Sequence, residues 1–243
     1  MPQTDAIFEN VNKINKETTG NKKVIRISID CKATVNVGEY SRYGKSRSAD
    51  AVQALDHDME IKKKMIPFGI LNLDNAQPHV FYGNSSKTSD FICDAIEWWW
   101  DLVKSENPEV EELIIFSDNG PENSGCCTQY LSRLVAFSEQ SKLKVRNVYY
   151  PPYHSKYNPI ERVWSSLERH WNGTLLSTAK TVIEWTKTMT WKAMRPVVNL
   201  IDKVYSKGIK LNSKEKEELE SKIVRNSELP KWDLTITSVA VDF

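Results

Sequence analysis

Three acidic residues sit where carboxylates can meet across a fold. Asp30 closes the run Val24-Ile25-Arg26-Ile27-Ser28-Ile29, Asp118 closes Leu113-Ile114-Ile115-Phe116-Ser117, and Glu161 lies within Asn158-Pro159-Ile160-Glu161-Arg162-Val163-Trp164. Two strand ends and a helix can bring such groups onto divalent metal. Mg²⁺ takes oxygen ligands, keeps several waters and uses one or two protein carboxylates per ion, so three acids suit a pair of ions gripping a phosphodiester. The chemistry would be phosphoryl transfer.

Each acid also has an ordinary role open to it. Asp30, beside Lys32, can be a solvated strand end. Asp118-Asn119-Gly120 is turn chemistry in any protein. With Asn158 as N-cap and Pro159 at the first helical position, Glu161 falls third and can close a capping box, stabilising the helix by about 1 kcal/mol. What singles the trio out is the joint occurrence of three acids in matching settings.

The elements that must position them are readable in outline. Residues 1–23 are polar and Asn/Lys-rich with weak periodicity, and read as a leader that packs poorly. Ile25, Ile27 and Ile29 alternate with Arg26, Ser28 and Asp30, which predicts a strand over 24–30 with Asp30 opposite the isoleucines. Further strands are expected at 33–37, 66–73, 79–82, 113–116 and 145–150. Residues 39–64 read as a long charged loop or short helix. Helices are expected at 89–104 with Ser89 as N-cap, at 126–141, from Asn158 through Trp171, and within 178–206 and 213–225. Strands leading into alternating strands and helices indicate an α/β domain with a mixed sheet and flanking helices.

Composition sets bounds. The 243 residues suffice for one large domain, and 33 basic against 32 acidic residues give a net charge of +1. Nucleic-acid binding would therefore need a local basic surface. Cys31, Cys93, Cys126 and Cys127 contain no Cys-x-x-Cys pair, and neither a signal peptide nor a membrane-length apolar stretch is visible, so a reducing, cytoplasmic setting is expected. His57 between Asp56 and Asp58 reads as a solvated loop, Glu122 as a surface acid, and the tryptophans, Trp164 included, as core. Basic and aromatic residues mix in two loops, Arg42, Lys45 and Arg47 in one and Tyr153, His154 and Lys156 in the other. Such loops can hold phosphates and stack on unpaired bases.

Three segments carry a family resemblance: Ser28-Ile29-Asp30-Cys31-Lys32-Ala33-Thr34-Val35, Phe116-Ser117-Asp118-Asn119-Gly120-Pro121-Glu122-Asn123-Ser124, and Tyr150-Pro151-Pro152-Tyr153-His154-Ser155-Lys156-Tyr157-Asn158-Pro159-Ile160-Glu161-Arg162. The last is the most specific. Through them the chain resembles bacterial insertion-sequence transposases with an Asp-Asp-Glu core, of the ISAzo-thirteen type and more distantly the mariner-like group. The resemblance implies a ribonuclease H-like, retroviral integrase-like core over 24–175, with a five-stranded mixed sheet and a helical C-terminal extension over 176–243. It also implies two Mg²⁺ ions, with Mn²⁺ as substitute, bridged by Asp30 and completed by Asp118 and Glu161, with Asn119 and Asn158 supporting them. The implied reaction is DNA cleavage followed by strand transfer, without a covalent protein–DNA intermediate.

DNA, as transposon ends and target, is the implied partner, with a homodimer left open, no small-molecule cofactor, and work at the bacterial nucleoid. Two other readings stand beside this one: a related nuclease that cuts without joining, and an inactive fragment acting only by oligomerisation. Family members carry a helix-turn-helix region ahead of the core, and none is expected here. Weak DNA binding that is indifferent to sequence would follow.

Overall fold

A computed structural model describes residues 2–42, 53–54 and 63–237. The chain runs α1 (Pro2–Thr18), β1 (Val24–Cys31), β2 (Val35–Val37), β3 (Lys63–Asn72), β4 (Pro78–Gly83) and α2 (Ser89–Val103). It continues through β5 (Glu112–Ser117), α3 (Thr128–Ser141), β6 (Lys144–Tyr149), α4 (Ile160–Trp171) and α5 (Ala179–Lys187). Last come β7 (Val197–Ile201), α6 (Ser213–Glu220), β8 (Ile223–Arg225) and β9 (Asp233–Ile236).

The strands form one mixed sheet in the order β7-β4-β3-β1-β5-β6-β9-β8, with β2 beside β3. All six strands read from the residues form, β4-β3-β1-β5-β6 at the centre and β2 beside β3, but among the described residues the sheet has nine strands and not the five that the resemblance implies. The three further strands, β7, β8 and β9, come from the C-terminal region, which is therefore not simply helical. Within 178–206 the helix stops at Lys187, and Val197–Ile201 pairs in parallel with β4. Within 213–225, β8 follows α6 and pairs with β9.

Strand β1 lies between β3 and β5 and is covered on both faces. Ile25, Ile27 and Ile29 pack with Phe91, Ile96 and Trp99 of α2 and with Leu131 and Leu134 of α3. The opposite face carries Arg26, Ser28 and Asp30, of which Arg26 and Ser28 are also buried. The alternation seen in the sequence is thus a choice between two helical layers, not between core and water. Arg26 is paired inside with Asp74, to which its guanidinium and backbone N–H both bond. Helix α4 covers this second face through Ile160, Val163, Trp164, Leu167 and Trp171, packed on Leu71, Val80 and Tyr82.

The leader is an ordered helix. Ile7, Val11 and Ile14 of α1 are buried, and Val11 and Ile14 join Ile114, Phe116, Val148 and Tyr150 beneath β5 and β6. Their i, i+4, i+7 spacing gives a narrow apolar stripe, and burial at about 2 kcal/mol per side chain offsets the weak helix propensity of the Asn-rich surroundings.

Candidate active site

Parallel pairing places Ser28 opposite Phe116. Two residues further on, Asp30 and Asp118 therefore leave neighbouring strands, which run about 4.8 Å apart, at the same sheet edge. Glu161 stands in the first turn of α4. All three are half-buried.

The helix is fastened to β1 beside Asp30. Asn158 donates its amide to the Ile29 carbonyl at 2.9 Å and accepts the Ser28 hydroxyl at 2.5 Å. The Ser28 oxygen in turn accepts the Ile160 backbone N–H at 3.0 Å. Ser28, one strand away, caps α4, and no side chain within the Asn158–Pro159 segment does so. The capping box expected of Asn158 and Glu161 is not formed, because Asn158 is committed to β1. At α2 likewise the cap is Thr88, whose hydroxyl accepts from Phe91 N–H, and not Ser89.

Asp30 accepts the Trp164 indole N–H on Oδ2 at 2.8 Å. That indole lies against Gly69, the residue paired with Asp30 across β1 and β3. A Cβ at position 69 would stand 2.5 Å from Trp164 Cζ2, so only glycine lets the ring lie flat there. Burial pushes the Asp30 carboxyl up to about 7, Asp118 and Glu161 push the same way by repulsion, and the Trp164 bond and the Lys87 charge oppose them. The three acids thus feel one another.

Asp118 is held by Asn123, whose amide donates to its carbonyl at 3.0 Å and to Oδ1 at 3.3 Å. Asn119 accepts the Gly125 N–H at 3.2 Å and shapes the same turn. Among the described residues no three His, Cys, Asp or Glu side chains close into a ready-made metal cluster. The trio is an open, all-oxygen set. Such a set fits Mg²⁺ or Mn²⁺, which retain waters, and a dication relieves the repulsion that Asp30 experiences.

The other expected residues are dispersed. Arg42 bonds Glu168 at 2.7 Å and 3.0 Å and lies over the Trp171 ring, so its charge is used internally. Lys45, Arg47 and His57 lie outside the described residues. Tyr153 is fully exposed and takes a left-handed backbone (φ 63). His154 packs edge-on to Phe8 of α1, as does Tyr157, and Lys156 sits over the Tyr157 ring. The leader helix therefore braces the loop that enters Glu161.

Sequence reasoning missed Ser28, Trp164, Asn123 and Lys87. The first three lie inside or beside the segments that carry the resemblance, where adjacency to an acid was the available signal. Lys87 lies in none of them.

Solved structures of similar fold include the Mos1 transposase paired-end complex with left transposon end (TM-score 0.50, 10% identity, 74% of this chain and 51% of that chain). Another is the Mos1 mariner paired end complex with Mn (TM-score 0.48, 12% identity, 74% and 51%). The chain spans about half the length of these proteins. The first match supports the ribonuclease H-like fold, whose central five strands were described above. No curated protein matches the sequence. Residues 1–238 match the family model described as the Rhodopirellula transposase DDE domain, and the chain belongs to that transposase family.

Proposed function

We propose that the domain cuts DNA phosphodiesters and joins the resulting 3′-hydroxyl to target DNA, with Asp30, Asp118 and Glu161 as the residues that hold two Mg²⁺ ions. The observation that carries this reading is that Asp30 and Asp118 leave neighbouring parallel strands at the same end of the sheet, with the charges of Asp118 and of Glu161, in the first turn of α4, both acting on Asp30. Acids in that situation favour a cation.

Bound Mg²⁺ supplies Lewis-acid activation of the attacking hydroxyl and neutralisation of charge at the leaving oxygen. The protein's part is orientation. Trp164 fixes one oxygen of Asp30 and leaves Oδ1 for a ligand, Asn123 turns the Asp118 carboxylate, and the Ser28–Asn158 pair sets the start of α4 and hence Glu161. Displacement at phosphorus is direct, so no side chain bonds covalently to DNA. The exposed Tyr153, with His154 and Lys156, offers stacking and phosphate contacts beside the trio. Among the described residues no helix is long and apolar enough to cross a membrane. Action on DNA places the protein at the bacterial nucleoid in this reading.

Nicking of duplex DNA with Mg²⁺, and strand transfer from a pre-cleaved 3′ end, test it. Asp30→Asn, Asp118→Asn and Glu161→Gln should each lose nicking without losing the fold. Nicking without transfer would identify a nuclease instead. Full activity in any one variant removes that residue from the site.

A further inference from the structure

Lys87 belongs to none of the motifs that mark the trio, yet its charge acts on Asp30 and Asp118. It stands in the connection between β4 and α2, half-buried. Its partner is Glu122, at 3.3 Å between Nζ and Oε2, and that buried oxygen has no hydrogen bond of proper geometry. The pair is loose. The Glu122 carbonyl is tied down separately, by the Ser89 hydroxyl at 2.7 Å.

Lys87 and Glu122 also line a cleft of about 350 Å³, shared with Ser89, Gln129, Ser206 and Lys207. Of the acids in its wall, Asp90 is already neutralised by Arg133 at 2.8 Å. The Ser89 hydroxyl is engaged by the Glu122 carbonyl, and the cations of the wall are Lys87 and Lys207. Glu122 lies in the same turn as Asp118, to whose Oδ1 Asn123 donates. A polar cleft with Lys87 and Lys207 in its wall therefore opens beside the turn that carries one acid of the trio, and suits a polyanion passing there. A lysine serves such a chain as a compact point charge with rotatable donors.

We infer that Lys87 holds a phosphate of the DNA strand being cut, one that flanks the scissile phosphate, by exchanging its loose contact with Glu122 for that oxygen, and that the cleft toward Lys207 carries the adjoining nucleotide. This rests on the trio being the cleavage site. Acids that gather metal repel a phosphate backbone wherever the metal does not cover them. A cation beside them offsets that repulsion without competing for the metal.

The test uses the full chain and substrates in which each phosphate around the cut is replaced, one at a time, by a neutral methylphosphonate. Lys87→Gln should melt as the wild type does and cleave roughly tenfold or more slowly, while Lys87→Arg retains most of the rate. One methylphosphonate position should slow the wild type by a similar factor and add nothing to Lys87→Gln. The salt dependence of duplex affinity should also lose about 0.9 from its log–log slope in Lys87→Gln. Effects that multiply at every position, or a Lys87→Gln protein with wild-type rate and slope, overturn the inference. If the wild type cleaves no DNA, the catalytic reading fails. The same series read as affinity then decides Lys87 alone: loss of coupling overturns it, and coupling at one phosphate sustains it.

Discussion

Asp90, Asp94 and Glu97 on α2 close around the Arg133 guanidinium at 2.7–2.8 Å. Asp94 also receives Lys203 at 2.6 Å and the Tyr205 hydroxyl at 2.7 Å. Burial works against the Asp94 charge, but Lys203, Arg133 and Tyr205 outweigh it and hold the carboxyl below its usual range. Asp30, Asp118 and Glu161 are as many acids at similar depth. They have one indole N–H, one asparagine amide and the more distant Lys87 among their described partners, and Asp30 moves the opposite way. An acidic cluster by itself therefore says little. The charge left uncompensated is what separates a site built to take a cation from one that already contains it.

Removing one charge from each region should break the symmetry most clearly. Asp30→Asn is expected to slow Mg²⁺-dependent cleavage at least about 10⁴-fold, about 5 kcal/mol in barrier, while its melting temperature stays level or rises because a repelled charge is gone. Stopped-time cleavage and calorimetry on one preparation check both halves. In the other region Arg133→Met removes the cation and leaves three acids facing one another. Stability should fall by about 2 kcal/mol, discounted for partial exposure, with the rate of the surviving folded protein unchanged. A denaturant melt that shows no loss would mean the α2 acids are held by something other than Arg133.

A smaller effect tests how Asp30 is aimed. Trp164→Phe keeps an aromatic ring against β3 and deletes the N–H. Cleavage should drop roughly tenfold, about 1.4 kcal/mol, with little change in melting. Gly69→Ala should mimic that drop by displacing the ring, since its Cβ would stand 2.5 Å and 2.7 Å from Trp164 atoms. Unaltered kcat in both variants would show that Asp30 orients itself.

A further effect, read against pH and away from both regions, concerns a buried group kept neutral. Burial lowers His79 to about 4, only partly offset by its backbone bond near Gln77, and its ring meets Trp99 edge-on. The folded value lies below the unfolded one. Stability attributable to the neutral ring is therefore intact above about pH 6.5, is lost as pH falls toward 4, and changes no further below that. The slope should approach about 1.4 kcal/mol per pH unit in that window and flatten in His79→Gln, as measured by melts across the range.

The sequence showed the acids because their settings are local: a strand that ends in Asp, and a Pro-rich loop entering a helix with Glu. It also showed the central strands, whose β-branched runs are buried on both faces. What surrounds the acids was hidden because it is non-local. Ser28 caps a helix 132 residues away, and Trp164 looks like any core indole until β1 is laid beside it. Strand β7 passed for helix because its edge position leaves Val197 and Leu200 exposed, so no face of Val-Val-Asn-Leu-Ile stands out. Helix α1 passed for a tail because its apolar contact with the sheet comes from few residues in a polar run, Val11 and Ile14 buried and Phe8 partly so.

The central claim is that the uncompensated trio, and not the compensated cluster, takes the metal. Crystals of the chain grown with Mn²⁺ and measured at a wavelength giving anomalous signal from manganese test it directly. Anomalous peaks bounded by Asp30, Asp118 and Glu161 are expected, about 3.5–4 Å apart if both ions are present, as is their loss in Asp30→Asn crystals. Peaks at Asp90, Asp94 and Glu97 with none at the trio would contradict it.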